Sequence, residues 1–379
     1  MKITIITPNF PPEKVTGAER FSYKLSCHLS NVKDKKIIIL TNKNYKFKRF
    51  VCQKILFETK KIKRKLFRDY FNNKAYTSSK LKVDRFNPDV IHINNFYGIG
   101  SNTLKRLSQE YPLLITVHDY FPICYSATLF KENAKNKGPC ICYPPLGWIH
   151  KMLMHQHLRD IQLISPSEFL AKKLRDNGFE KAKVIHNGVD IPKQTTNYKK
   201  NILFVGRLSP EKGLQTIIST LNKVRDYNVL ILGEGPLKKE LEAKYKNIKF
   251  LGFQNPNKYY KEASISIVPS IWEEPFGLVV GEAMSYGLCV IGSNIGGIPE
   301  QIKHRETGLL FEPGNEKDFK EKLDYLLKNS KEIKRIGKNA RAFVKKNFDW
   351  KKIVKQYEQV YKQVIDELID EFKKKHEKP

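Results

Sequence analysis

The 379-residue chain has no uninterrupted apolar run of about 18 residues, so no membrane-spanning helix is expected in it. Its opening, Met1-Lys2-Ile3-Thr4-Ile5-Ile6-Thr7, is too short for a secretory leader and lacks a small-residue cleavage site; it reads as a first β-strand. Cysteine is scarce. Six thiols in a chain of this length do not make a disulfide framework, and a reducing, cytoplasmic setting is the expectation. Paired Cys-x-x-Cys clusters are missing too, so Cys124, Cys140 and Cys142, with His150, His155 and His157 behind them, have the wrong spacing for a structural zinc site. They read as a loop with incidental thiols. Internal repeats and low-complexity blocks are absent apart from a lysine-rich tail, which argues against a repeat architecture.

Acidic residues are the other shortage. Only 39 Asp and Glu face 69 Lys and Arg, a formal net charge of +30, and such a balance implies an acidic partner. Nucleic acid, anionic lipid and a phosphorylated substrate all qualify. Much of the excess is local: between Lys43 and Lys82 stand fourteen Lys or Arg, against Glu58 and Asp69 alone. Tyr45, Phe47, Phe50, Phe57, Phe67, Tyr70, Phe71 and Tyr76 interleave with them. Rings among cations suit nucleic acid or the surface of an anionic bilayer, where each basic group contributes ~1 kcal/mol. A chain-wide bias toward lysine is the plain alternative. The expectation is an anionic membrane surface, with no nucleic acid.

With 40% hydrophobic residues, the chain can fill two ordinary cores. Strand-like runs alternate with helical ones, the pattern of parallel α/β sheets. In the first half 3–7, 36–40, 89–93, 113–117, 161–165 and 183–186 read as strands, and 18–30, 101–109 and 168–176 as helices. The polar stretch 193–200 reads as a linker. The second half repeats the alternation with strands at 201–205, 228–232, 248–251, 265–268 and 289–292, and from Glu316 the chain is strongly helical. The expected division is a domain over 1–193, a second over 194–350 and a terminal helix over 351–379. Two doubly wound, Rossmann-like domains follow. Such sheets bind ligands beyond the carboxyl ends of their strands, so the facing ends are expected to share a cleft.

The densest chemistry lies in Glu274-Pro275-Phe276-Gly277-Leu278-Val279-Val280-Gly281-Glu282, two glutamates separated by seven residues around a Pro-Phe-Gly turn. Pro275 suits the first turn of a helix, where a missing N–H costs little. Gly277 lets a ligand come close, and the N–H groups of Phe276, Gly277 and Leu278 face an anion at a helix start. Glu282 then lies about 7 Å down the axis at ~1.5 Å per residue, near the span from a nucleotide's phosphates to its ribose diol. The bland alternative is a capped helix with one solvated glutamate.

Upstream, Gly206-Arg207-Leu208-Ser209-Pro210-Glu211-Lys212-Gly213 leaves an apolar strand and opens a helix expected near Gly213. The fork of Arg207 and the point charge of Lys212 suit a diphosphate. No Asp-x-Asp pair stands where it would hold a nucleotide-bound metal, so neutralisation falls to these two cations and no catalytic metal is expected. In the first half, Gly17 opens a helix after a proline-rich loop, a position open to phosphate. His118 ends a strand, where reactive groups face a ligand. Asp119 beside it can cap a turn instead. His92 and His186 also end strands and read as structural, and Gly296-Gly297-Ile298-Pro299-Glu300 reads as a glycine turn before a helical segment.

Taken in order, Gly206-Arg207-Leu208, Glu211-Lys212-Gly213, Gly233-Glu234-Gly235-Pro236 and the stretch from Glu274 to Glu282 resemble the C-terminal half of retaining glycosyltransferases of family 4. Asn187-Gly188-Val189-Asp190 and Thr16-Gly17-Ala18-Glu19 are similar to that family's other signatures; its N-terminal loop usually carries Gly-Gly where this chain has Gly17-Ala18. The likeness covers residues 3 to 350, give or take a few. It implies the GT-B architecture, with the last helix, near 350–374, packing back on the N-terminal domain. It also implies a retaining enzyme that moves a sugar from a nucleoside diphosphate to a saccharide acceptor. A lipid-linked acceptor, assembly of a bacterial surface polysaccharide and a peripheral place at the inner face of the cell membrane complete the expectation. By the same resemblance Arg207 and Lys212 hold the diphosphate, Glu282 the ribose, and Glu274 and His118 the sugar, while Gly17, Phe276, Gly277 and Leu278 line the donor. Two alternatives stand: a nucleotide-sugar epimerase or hydrolase of the same fold, and a basic nucleic-acid-binding protein, which leaves Glu274 and Glu282 unexplained.

Overall fold

Short runs of Ile, Val and Leu can bury both faces only inside a parallel sheet covered by helices, and the chain folds that way twice. A computed structural model describes residues 1–10, 17–41, 45–46, 51–54, 70, 73–129 and 144–376. Of the described residues, those within 1–129, 144–188 and 350–376 form one unit and Val189–Asp349 the other.

The first unit contains β1 (Lys2–Ile6), β2 (Lys36–Thr41), β3 (Tyr45–Lys46), β4 (Val51–Lys54), β5 (Val90–Ile93), β6 (Leu113–Thr116), β7 (Gln162–Ser165) and β8 (Lys183–Val184). Among the described residues they form one sheet in the order β3-β4-β2-β1-β5-β6-β7-β8, parallel except at β3–β4. Ile5 of β1 faces Ile39 and His92 across its two neighbours. Ile3 and Ile5 pack with Phe21, Leu25 and Leu29 of the helix Gly17–Leu29. The same core takes Trp350, Ile353, Val354, Tyr357, Val360, Tyr361 and Val364 from the last helix, Trp350–His376. Those seven recur at helical spacing and form one apolar stripe, so the returning helix closes the first unit's core.

The second unit contains β9 (Asn201–Val205), β10 (Asn228–Leu232), β11 (Ile248–Gly252), β12 (Ile265–Val268), β13 (Cys289–Ser293) and β14 (Leu309–Phe311), in the order β11-β10-β9-β12-β13-β14. Alternate residues go to opposite faces. Ile202, Phe204, Val229, Ile231 and Ile265 meet Phe319, Leu323, Ile333 and Ile336 of the helices Glu316–Lys328 and Ser330–Asn347. Leu203, Leu230 and Val290 meet Val280, Ala283, Met284 and Ala340 on the other face. Both faces are dry.

Several local expectations are corrected. No α-helix starts at Gly213: two 3-10 turns, Pro210–Lys212 and Leu214–Thr216, precede the helix Ile218–Asn222. Pro275 is not in a first helical turn, because the helix Leu278–Ser285 begins three residues later behind a left-handed Gly277. The stretch after Gly296 and Gly297 makes turns rather than a helix. The polar stretch 193–200 is no free linker: Thr196 is buried and its N–H reaches Tyr286 O. Strands β3 and β4 had no clear apolar signal, and β14, though wholly apolar, is only three residues long.

Candidate active site

The second sheet reverses direction at β9. The chain runs outward through β10 and β11, then returns to place β12 on the other side of β9. The loops leaving β9 and β12 therefore diverge and open a crevice, the place where such folds bind ligands. The loop after β9 carries Arg207 and Lys212, and the loop after β12 carries Glu274.

These loops are stapled together. Ile271 N–H donates to Glu211 O at 3.1 Å. Gly213 sits in the left-handed region with φ 72°, and a side chain there would collide with Pro269 O, so only glycine admits this approach. The staple brings Lys212 Nζ to Glu274 Oε1 at 2.5 Å, with side-chain exposures of 28% and 10%. The ammonium also lies over the Trp272 ring, 5.1 Å from its centroid. Ser270 Oγ is 3.2 Å from the same carboxylate oxygen. Arg207 is exposed and has no hydrogen bond or ion pair among the described residues.

A third loop, after β13, supports the turn. Gly297 N–H donates to Glu274 O at 2.7 Å, and Gln301 Nε2 donates to Phe276 O and Gly277 O. Phe276 turns its ring inward, edge-on to Phe348 at 5.6 Å, so what it can offer a ligand is its backbone. Gly277, at φ 83°, caps the helix without a side-chain bond. The N–H groups of Gly277 and Leu278 have no acceptor among the described residues and mark the positive end of that helix. Glu282, the fifth helical residue, is half-buried and accepts from Tyr260 OH at 3.4 Å.

The first sheet reverses at β1, between β2 and β5. His118 follows β6, and its ring packs on Phe21 with centroids 5.0 Å apart, which places it beside the helix that Gly17 opens. Burial pushes its imidazole down to about 3, so it is neutral. Its Nε2 lies 3.4 Å from the Asn94 side-chain amide. Asp119 caps a turn: Phe121 N–H donates to its Oδ1 and Tyr97 OH to its Oδ2, both at 2.9 Å. Burial raises that carboxyl to about 6 against those two bonds.

Other histidines are structural. His92 is buried between Tyr361 OH at 2.8 Å and Thr116 Oγ1 at 2.7 Å. His150 Nε2 faces Phe121 O at 2.6 Å and must donate, so its Nδ1 accepts from Tyr70 OH at 2.5 Å. Cys140 and Cys142 lie outside the described residues; Cys124 is buried, 3.1 Å from Ser126 Oγ. Among the described residues no three His, Cys, Asp or Glu are placed to hold a metal ion. Most of the basic segment between Lys43 and Lys82 also lies outside them. Of its described rings, Tyr70 is buried and Tyr76 stacks on Arg106 at 3.5 Å. No helix among the described residues is long and apolar enough to cross a membrane.

Sequence reasoning passed over Ser270, Trp272, Gln301 and Asn94. None carries a motif, and each matters through a neighbour that only folding supplies.

Two doubly wound units, with Arg207 and Lys212 at the switch point of the second, have the GT-B fold. Residues 15–193 match the family model described as Glycosyltransferase Family 4, and residues 190–343 match that of Glycosyl transferases group 1. The chain belongs to glycosyltransferase family 4 and is an enzyme, a hexosyltransferase. It is 28% identical over 301 residues to an uncharacterized glycosyltransferase of Methanocaldococcus jannaschii, covering 76% of this chain and 80% of that one. A D-rhamnosyltransferase of Pseudomonas aeruginosa is 28% identical over 65% of this chain and 72% of its own length. The sucrose-phosphate synthase structure from Thermosynechococcus elongatus superposes with a TM-score of 0.80 at 20% identity, covering 96% of this chain and 99% of that one. HepE of Anabaena, in complex with UDP-glucose, superposes with a TM-score of 0.72 at 18% identity, covering 96% and 100%.

Proposed function

We propose that the protein is a retaining, metal-independent glycosyltransferase that takes a sugar from a nucleoside diphosphate and gives it to a saccharide acceptor. The observation that carries this reading is the Lys212–Glu274 pair, which joins the loop after β9, carrying Arg207, to the loop after β12, which leads into a bare helix start. As the sugar–phosphate bond breaks, negative charge grows on the β-phosphate. Fixed cations and N–H groups already in place meet that charge without reorganisation. Glu282, about 7 Å down the helix axis, takes the ribose diol, and Glu274 takes sugar hydroxyls. His118, neutral at the carboxyl edge of the first unit's sheet, is assigned to the sugar by the family resemblance alone. The acceptor oxygen bonds to the anomeric carbon on the face the phosphate leaves, and the departing phosphate takes its proton.

Incubation of the enzyme with a nucleotide sugar and an acceptor in EDTA tests this directly. Turnover should persist and the product should keep the donor's anomeric configuration. An inverted product, or activity lost in EDTA and restored by Mg²⁺ or Mn²⁺, overturns the reading.

The acceptor we infer is lipid-linked, in bacterial surface polysaccharide assembly at the inner face of the membrane. The charge of +30 and the cationic, aromatic run between Lys43 and Lys82 support it. Binding to anionic vesicles should fall as salt passes ~0.15 M, where the Debye length is ~8 Å. Equal binding to neutral vesicles would remove the electrostatic part of this reading.

A further inference from the structure

We propose that the Lys212–Glu274 ion pair is a hand-over switch: a diphosphate takes the ammonium, and only then is the carboxylate released to the sugar. This rests on the donor reading above and goes beyond it, because it makes one half of the donor site depend on the other.

Before any ligand arrives, the two residues satisfy each other, with Nζ 2.5 Å from Oε1. Arg207 differs. It is unpaired among the described residues and can meet a diphosphate without breaking anything. Lys212 must leave Glu274 to follow, and it can move: its side chain keeps 28% exposure and swings on a flexible four-carbon stem. Leaving would strand a carboxylate that is only 10% exposed, which is costly unless another donor replaces the ammonium. Ser270 is that donor. Its Oγ stands within reach of Glu211 O at 3.1 Å, Trp272 O at 3.2 Å and Glu274 Oε1 at 3.2 Å. One hydroxyl has one proton for three acceptors. When the ammonium departs, that proton can turn fully to Oε1. Glu274 Oε2 has no partner among the described residues and remains an acceptor for sugar hydroxyls.

The consequence is a bias between substrate and product. A nucleotide sugar breaks the pair and recovers the loss at Glu274 through its hydroxyls. A nucleoside diphosphate without sugar breaks the pair and recovers only the Ser270 bond, so re-formation of the pair favours its release after transfer.

Calorimetry with UDP and UDP-glucose, with GDP and ADP alongside, tests this on the wild type, Glu274→Gln, Lys212→Met and the double variant. Glu274→Gln should bind UDP about three- to tenfold more tightly, the range of a partly exposed ion pair. In the Lys212→Met background the same change should bring no gain, since nothing is left to release. Affinity for UDP-glucose relative to UDP should fall in Glu274→Gln. Ser270→Ala should weaken UDP binding, and should not do so once Glu274 is Gln. Unchanged UDP affinity in Glu274→Gln overturns the switch. So does an equal gain with and without Lys212, which would mean simple repulsion between carboxylate and phosphate. Failure of the wild type to bind any of the three nucleotides overturns the donor reading itself, a separate result.

Discussion

The two sheets share an architecture but arm their carboxyl edges in opposite ways. In the first unit the edge holds His118 and Asp119, and burial drives both toward neutrality: the imidazole falls to about 3 and the carboxyl rises to about 6. In the second unit the edge holds full charges, with Lys212 on Glu274 and an unpaired, exposed Arg207. Of nine histidines only His304 belongs to the second unit. The difference lies in the partners each edge supplies: a carboxyl met by neutral donors in the first unit, and a buried carboxylate whose charge is met by an ammonium in the second.

Acid should expose this contrast most strongly. His92 and His150 are fully buried, with imidazoles lowered to about 3 and about 4 from the ordinary ~6.5, and His118 is lowered likewise. A depressed folded value means that stability is present above ~6.5 and is lost as pH falls toward 4, by ~1.4 kcal/mol per proton per pH unit. Asp119 acts the other way: its raised value favours the fold below ~3.9 and loses that contribution as pH rises through about 6. One opposing group does not offset three. Hydrogen exchange between pH 7 and 4.5 should therefore show the first unit opening before the second. Simultaneous opening, or the second unit leading, would end the comparison.

Charge deletion sharpens it from the other side. Arg207→Ala should lower kcat by ~10²–10³, as removal of a preorganised donor does. Its melting temperature should hold, since the side chain is exposed and unpaired. His118→Ala, which removes a neutral imidazole, should cost less. The reverse ranking in steady-state kinetics would show that Arg207 is not the dominant charge stabiliser.

The mildest expected effect is at Glu282. Its replacement by Ala should weaken nucleotide binding by ~1.5–3 kcal/mol, the range for a hydrogen bond to a charged group, with the transfer step less affected. Unchanged affinity in calorimetry would remove Glu282 from the ribose. A loss in kcat alone would move it toward the reacting sugar.

How much of this was legible depends on what each feature needs. Strands 201–205, 228–232 and 265–268 fell where the apolar runs put them, because a fully buried parallel strand must be apolar throughout. The short β3 and β4 carry no such signature and exist through pairing with neighbours already in place, while β14 is apolar but only three residues long. The order of motifs from Arg207 to Glu282 was legible in the sequence, since glycine turns and charged residues at strand ends are local facts. The grouping was not local. Glu274 lies 62 positions from Lys212 and meets it only because β12 inserts beside β9. Ser270 and Gln301 have ordinary sequence surroundings and gain their roles by holding that meeting in place. The family, the two parallel sheets and the apolar stripe of the last helix were thus determined by the sequence itself, through periodicity and local turn chemistry. Which charge is paired, which is free, and which histidines are neutral was decided by the tertiary structure alone, because burial and long-range partners set the energy of every ionisable group.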